Sequence, residues 1–250
     1  MIILKSEAEI AKIRESERIL ANVFDKLKRA VFSGTTTSYL NKLAHCEITK
    51  QGATPAFLGY RNFPASICTS VNEEVIHGIP GDRKLKKKDL LKVDIGILYK
   101  GYYADEAESF EVEKVTTEAK VLINTARKAL EIGIRVAKKG NRVRDISSAI
   151  QEFVEKAGFS VVRDYCGHGS GKELHEEPEI PNFVGKGSDG KTRIKEGMVF
   201  CIEPMINIGD CEVEVLSDGW TVVTKDRSLS AHTEKMIAIT GRGTEVLSLR

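Results

Sequence analysis

Apolar residues recur at helical spacing in four stretches of the chain. The first stretch begins after Ser6, which forms a capping box with Glu9, and its apolar positions lie three or four residues apart. The spacing predicts helices over residues 6–31, 36–52, 117–139 and 141–158. The chain is therefore expected to contain two consecutive pairs of helices, each followed by strand-like sequence.

The two helix pairs share one internal spacing. Gly34 and Gly52 are 18 residues apart, and so are Gly140 and Gly158, which offsets the two intervals by 140 − 34 = 106 residues. This match predicts an internal duplication with two units, each of two helices and an antiparallel sheet, about a pseudo-twofold axis. The expected fold class is α+β, and a site is most easily built where the two halves meet.

The strands after the first helix pair each carry an aspartate. Residues 89–110 are predicted to form a hairpin whose two-residue loop is Lys100-Gly101. In that register Asp94 and Asp105 lie on the same face, whereas a longer loop would separate them unless a bulge restored the register. Two carboxylates in an apolar sheet would repel each other, and a shared cation would remove that repulsion.

The second half adds histidine and glutamate. His168 lies among three glycines in residues 162–178, and by itself this pattern is more often a plain turn. Glu203 ends a predicted strand, because Pro204 biases it toward extended backbone. A second hairpin is predicted over residues 220–240, with its turn at 225–226 and Glu234 beside an apolar run.

Four carboxylates and one imidazole form the candidate metal site. An oxygen-rich set with one nitrogen suits two adjacent divalent ions bridged by carboxylates, rather than a thiolate zinc site. Mn, Fe, Co and Zn all accept such a set, so the sequence does not select the metal. The candidate ligands are Asp94, Asp105, His168, Glu203 and Glu234.

In order and context these residues resemble the type I methionine aminopeptidases, which have the pita-bread fold. The matching motifs are SVNEEVIHGIP at 70–80, the aspartate hairpin, CGHG at 166–169, HEEP at 175–178, IEPM at 202–205 and SDGW at 217–220. The resemblance implies a single catalytic domain over residues 1–250, with a dimetal site at its centre. It also implies removal of the N-terminal methionine by attack of a metal-activated water on the first peptide bond.

The resemblance also implies residue roles. Asp105 and Glu234 would bridge the two ions, Glu203 would be the general base, and His77 and His175 would contact the scissile amide and its tetrahedral intermediate. The pocket for the first side chain would be lined by Phe57, Tyr60, Phe63, Leu174 and Trp220.

Five positions depart from the pattern of these enzymes, and one of them is Ala104, which stands in for glycine ahead of Asp105. Phe57 stands where a small residue is common, and Leu174 stands where phenylalanine is common. His232 and Lys235 replace the usual glutamine and histidine around Glu234. The changes at Phe57 and Leu174 bear on methionine selectivity, and Lys235 would alter metal affinity if it pointed inward.

Composition restricts the partners. Lys+Arg 38 against Asp+Glu 36 gives no overall field for nucleic acid, and the basic run at 83–88 has no interleaved aromatic residues. Five cysteines without paired spacing indicate a reducing compartment. Without a membrane span or signal peptide, a cytoplasmic monomer acting on peptide or nascent-chain N-termini is expected, with the ribosome surface as a further candidate partner.

A phosphate-loop pattern occurs in the second half of the chain, and two other functions are compatible with the sequence. Residues 185–192 match the phosphate-loop pattern, but they lack the flanking strand and helix, so a polar hairpin turn is expected. An Xaa-Pro peptidase of the same fold is the first alternative, although those relatives usually carry an added N-terminal domain. The second is a non-catalytic pita-bread binding module, although such modules typically lose metal ligands.

Overall fold

The computed structural model describes residues 1–185 and 191–248. The helices are α1 (Glu7–Ala30), α2 (Thr37–Lys50), α3 (Thr117–Val136) and α4 (Val143–Lys156). The strands of the first half are β1 (Thr54–Pro55), β2 (Cys68–Val71), β3 (Glu74–Ile76), β4 (Leu90–Tyr99) and β5 (Tyr102–Glu111). Those of the second half are β6 (Ser160–Val161), β7 (Cys166–Gly169), β8 (Glu176–Pro181), β9 (Val199–Ile202), β10 (Met205–Asn207), β11 (Val213–Val215), β12 (Val222–Thr224), β13 (Ser230–His232), β14 (Lys235–Thr240) and β15 (Gly243–Val246).

The helix boundaries follow the capping signals. The Ser6 side chain accepts the N–H of Glu9, and the Glu9 carboxylate accepts the N–H of Ser6, so the predicted capping box is confirmed. Helix α3 is shorter than predicted and ends at Val136 instead of residue 139. The side-chain amide of Asn141 donates a 2.8 Å hydrogen bond to the Val136 carbonyl, which satisfies one of the free carbonyl groups of the last turn.

Corresponding hydrogen bonds recur in the two halves. The Gly34 N–H donates to the Leu85 carbonyl, and the Gly140 N–H donates to the Ile194 carbonyl. Likewise, the Ala53 N–H donates to the Ile48 carbonyl, and the Phe159 N–H donates to the Val154 carbonyl. The donors differ by 140 − 34 = 106 and 159 − 53 = 106 positions, which is the offset between the glycine intervals of the sequence. The local geometry therefore agrees with the predicted duplication.

The first half builds its sheet around the long strand β4. Strand β5 pairs along one side of β4, and β2 and β1 pair in succession along the other. In the β4–β5 hairpin Asp94 lies opposite Ala107 and Gly96 opposite Asp105, as predicted from the Lys100-Gly101 loop. Both aspartates therefore lie on the same face of the sheet.

The second half contains a five-stranded sheet in the order β15-β14-β9-β7-β8. The hairpin predicted over residues 220–240 is wrong, because β12 pairs with β11 and β3, whereas β13 pairs with β10. The Asp226 carboxylate accepts the N–H groups of Asp210 and Ser228, and this turn leads β13 away from β12.

The two halves are joined where their acidic strands meet. Strand β3 of the first half pairs with β12 of the second. The Glu234 N–H donates to the Ala107 carbonyl at 2.9 Å, and the Ser109 hydroxyl donates to the His232 carbonyl at 2.7 Å. The ends of β13 and β14 are thus fixed against β5.

The segment that matches the phosphate-loop pattern is only partly described. Residues 186–190 lie outside the described residues, so the turn expected over 185–192 is not described. In the described part of the chain, none of the helices combines the length and apolar character needed to span a membrane.

Candidate metal centre and substrate pocket

The five candidate metal ligands converge where the halves meet. Asp94, Asp105 and Glu234 each offer a carboxylate oxygen, and these oxygens lie within 4.8 Å of one another. The His168 Nε2 atom lies 3.8 Å from Asp105 Oδ2 and 3.6 Å from Glu203 Oε1. All five side chains line a single cavity of about 300 Å³.

Close backbone packing explains the glycines around His168. A Cβ atom on Gly167 would lie 2.3 Å from the Cys201 carbonyl oxygen, and one on Gly169 would lie 2.3 Å from the Glu177 carbonyl oxygen. Glycine is needed here to let strands β7, β8 and β9 approach. The His168 Nδ1–H donates to the Gly169 carbonyl at 3.0 Å, so Nε2 is directed toward the carboxylates with its lone pair available.

Burial makes the carboxylates difficult to ionise together. Desolvation raises the pKa of Asp94 to about 6. The pKa values of Asp105, Glu203 and Glu234 are raised well above their usual range, first by desolvation and then by the neighbouring carboxylates. Desolvation also lowers the pKa of His168 to about 4, which leaves the imidazole neutral at pH 7.

The donor set fits divalent cations. Asp94 Oδ1, Asp105 Oδ1 and Glu234 Oε1 are buried and have no hydrogen-bond partner among the described residues. Buried carboxylate oxygens without donors are costly unless a cation satisfies them. Clustered oxygens with one imidazole nitrogen match the ligand preference of Mn, Fe, Co and Zn.

A thiol adjoins this cluster, which the sequence analysis did not identify. Cys201 Sγ groups with donor atoms of His168 and Glu234, all within 4.8 Å of one another. Burial, followed by the nearby charges of Glu234 and Asp105, raises the pKa of this thiol well above its usual value. Cys201 lies on β9 and two residues before Glu203, which directly follows that strand. Because alternate residues of an extended chain share a face, this spacing could have indicated its position.

The two substrate-side histidines lie at the cavity wall. The His175 ring lies 4.1 Å from that of His168 between centroids, and its Nδ1 is 2.8 Å from the Tyr60 hydroxyl. His77 has a left-handed backbone, with φ 58°, and packs edge-on against Tyr165 at 5.7 Å. Burial lowers the pKa of His77 to about 4 and that of His175 to about 3, so both imidazoles are neutral at pH 7.

A buried ion pair orders the segment that carries His175. The Lys5 ammonium pairs with Glu176, and their side chains are only 3% and 5% exposed. Glu176 Oε1 also accepts the N–H groups of Lys172 and Glu173, at 2.9 and 3.2 Å. Glu176, the residue after His175, is therefore held by the Lys5 ammonium and by two backbone N–H groups.

The predicted pocket residues form one apolar cluster. Phe57, Phe63 and Leu174 are buried in it, and Tyr60 and Trp220 pack against them. All five line the cavity next to the carboxylates. The cavity is also lined by six residues that were not predicted from the sequence, which are Arg61, Cys68, Ile76, Asp164, Tyr165 and Cys166.

The two unusual residues around Glu234 point in different directions. Lys235 does not line the cavity but pairs with the buried Glu106. Its charge is therefore directed away from the proposed ligands. His232 is 1% exposed, and its Nε2 lies 3.7 Å from Glu203 Oε2. Neither of its ring nitrogens has a hydrogen-bond partner within the described ranges.

Known proteins are similar to this chain in sequence and in fold. The methionine aminopeptidase of Clostridium perfringens is 47% identical over 249 residues, which cover 100% of this chain and 99% of that protein. The crystal structure of methionine aminopeptidase from Rickettsia prowazekii superposes with a TM-score of 0.96 at 41% identity, covering 100% of both chains. The prolidase of Pyrococcus furiosus has a TM-score of 0.80 at 22% identity, which shows the fold alone.

The chain also matches a family model. The model of metallopeptidase family M24 matches residues 11–241, a range that contains all five candidate metal ligands. The mixed helix and sheet content confirms the α+β class, and the structural relatives confirm the predicted fold. The chain belongs to metallopeptidase family M24.

Proposed function

We propose that this protein is an aminopeptidase that removes methionine from polypeptide N-termini. The observation that carries the proposal is one cavity in which buried carboxylates and His168 adjoin an apolar pocket. The full-length identity with methionine aminopeptidases supports the same activity over that of the Xaa-Pro peptidases. A non-catalytic module would have no need for unpartnered carboxylates of this density.

The five clustered side chains, Asp94, Asp105, His168, Glu203 and Glu234, would hold two divalent ions. Such ions would supply positive charge to polarise the scissile carbonyl and to acidify a water molecule. Glu203 accepts the proton of the attacking water, because its carboxylate faces the cavity beside His168, with Oε1 3.6 Å from the His168 Nε2 atom. As the amide is converted to its tetrahedral form, His77 and His175 donate hydrogen bonds to it as neutral imidazoles.

Selectivity is proposed to come from the apolar cluster and from the free α-amine. An unbranched thioether fills a pocket lined by Phe57, Phe63 and Leu174. A charged first side chain would be buried there without compensation. An acetylated N-terminus would lack the amine lone pair that the site requires.

Polypeptide N-termini, including those of nascent chains, are the proposed substrates. We place the protein in the cytoplasm, because its five cysteines, all within the described ranges, form no disulfide and fit a reducing compartment. A monomeric state and a contact with the ribosome surface stay predictions.

A peptide panel tests the activity. The purified protein, loaded in turn with Mn, Fe, Co and Zn, is assayed on Met-Ala-Ser, Lys-Ala-Ser, acetyl-Met-Ala-Ser and Ala-Pro-Ser. Rapid hydrolysis of Met-Ala-Ser alone is expected. A preference for Ala-Pro-Ser would replace the proposal with the Xaa-Pro peptidase alternative.

A further inference from the structure

The Phe57 ring lies against a glycine of the central strand β4. A Cβ atom built on Gly96 would lie 2.4 Å from Phe57 Cε1, 3.0 Å from Cδ1 and 3.1 Å from Cζ. Carbon atoms in contact are normally about 3.5–4.0 Å apart. The ring therefore occupies the space that the first carbon of any side chain at position 96 would need.

Backbone conformation does not explain this glycine. Gly96 is absent from the glycines with positive φ, so an L-residue could adopt its backbone geometry. Its position is fixed in the sheet, since its carbonyl accepts the Ala56 N–H at 2.8 Å and its strand partner is Asp105. The contact with Phe57 is the steric barrier to a side chain here.

The ring has one open side. Phe57 is 9% exposed and packs in a cluster with Phe63, Ala65, Cys68 and Leu174, while part of it lines the substrate cavity. Because the cluster and β4 bound the other sides, a side chain at position 96 would displace the ring into the cavity. That cavity is only about 300 Å³, so a shift of about 1 Å by an aromatic ring would remove space needed by the first side chain of the substrate.

We infer that Gly96 is a positioning residue for substrate specificity, acting through Phe57. The missing side chain at position 96 lets a phenylalanine occupy the wall of the first-residue pocket without closing it. The pair Gly96 and Phe57 thus sets the largest first residue that the enzyme accepts. This inference rests on the proposed aminopeptidase function.

The test is a double-mutant cycle on Gly96→Ala and Phe57→Ala with Met-Ala-Ser and Ala-Ala-Ser as substrates. Gly96→Ala is expected to lower kcat/KM for Met-Ala-Ser by about 10–200-fold, mainly through KM, and to leave the slower hydrolysis of Ala-Ala-Ser unchanged. In the Phe57→Ala background the same substitution should have little effect, because the ring that transmits it is gone. A general structural defect would lower kcat/KM for both substrates by the same factor.

Gly81→Ala is the matched control, because Gly81 has no positive φ and no atom within 4 Å of its added Cβ. It should leave both substrates at wild-type rates. The inference is overturned if Gly96→Ala hydrolyses Met-Ala-Ser like wild type, or if Phe57→Ala does not suppress its effect. It is also overturned if Gly96→Ala loses bound metal, since the effect would then run through the neighbouring Asp94.

A crystal structure of Gly96→Ala separates this inference from the proposed function. The Phe57 ring should be shifted toward the cavity whether or not the enzyme cleaves methionine. An unmoved ring would refute the inference, whereas wild-type failure on Met-Ala-Ser would refute the proposed function alone.

Discussion

Lys235 and Glu106 form an ion pair that joins the two halves directly behind the proposed bridging ligands. Glu106 directly follows Asp105 on β5, and Lys235 directly follows Glu234 and begins β14. The side chains of Lys235 and Glu106 are 16% and 0% exposed, so solvent screens the pair weakly. Lys235→Met would leave the Glu106 carboxylate buried next to the Glu17 carboxyl group.

Removing one partner of a buried ion pair costs about 3–5 kcal/mol. We therefore expect Lys235→Met to lower the free energy of unfolding by about that amount, measured by urea denaturation of metal-free protein. The double variant Lys235→Met with Glu106→Gln should recover most of the loss, because the buried carboxylate that lost the lysine charge is then replaced by a neutral amide. Domains of this kind have about 5–15 kcal/mol of stability, so the single variant stays measurable.

The control is Lys100→Met, which removes an exposed pair with Glu15 whose side chains are 57% and 43% exposed. That change should cost less than about 1 kcal/mol. If Lys235→Met costs no more than Lys100→Met, or if the double variant shows the full sum of its single losses, the buried pair does not stabilise the join between the halves.

Three further predictions concern the site and its surroundings. Glu203→Gln should abolish hydrolysis of Met-Ala-Ser while circular dichroism stays native, and wild-type turnover in the folded variant would show that Glu203 is misassigned. His175→Ala should lower kcat by about 10²–10³ with unchanged metal stoichiometry in calorimetry, because it removes a transition-state hydrogen bond rather than a metal ligand; loss of bound metal would contradict this role. Burial, with the Glu106 charge beside it, raises the pKa of Glu17 to about 8. Between its unfolded pKa of about 4.3 and this value the folded state holds a proton that the unfolded state has lost, so stability falls by up to about 1.4 kcal/mol per pH unit as pH rises. Glu17→Gln should flatten that decline in urea unfolding from pH 5 to 8, and parallel curves for the two proteins would refute the assignment.

Local signals in the sequence were sufficient for the helices and for one hairpin. The capping box fixed the start of α1, and the tight Lys100-Gly101 loop fixed the register that puts Asp94 and Asp105 on one face. Because register follows from turn length, the first part of the candidate metal centre could be predicted without the fold.

Nonlocal pairing was not predictable in the same way. Strands β12 and β13 are three residues long, and their partners are distant in sequence, so the periodicity around Asp226 wrongly predicted a hairpin. The direction of Lys235 also depends on the crossing of β5 and β14, which brings Glu106 within reach. The contact of Phe57 with Gly96 could not be predicted from the sequence, since the two residues are brought together only by the pairing of β1 with β4.

Metal-dependent turnover tests the central claim most directly. The protein is stripped with a chelator, titrated with Mn²⁺ under anaerobic conditions, and assayed on Met-Ala-Ser at each step while bound metal is measured. We expect the stripped protein to be inactive and its turnover to rise with occupancy of the site formed by the clustered carboxylates and His168. Full turnover by metal-free protein, or metal binding that never restores hydrolysis, would contradict it.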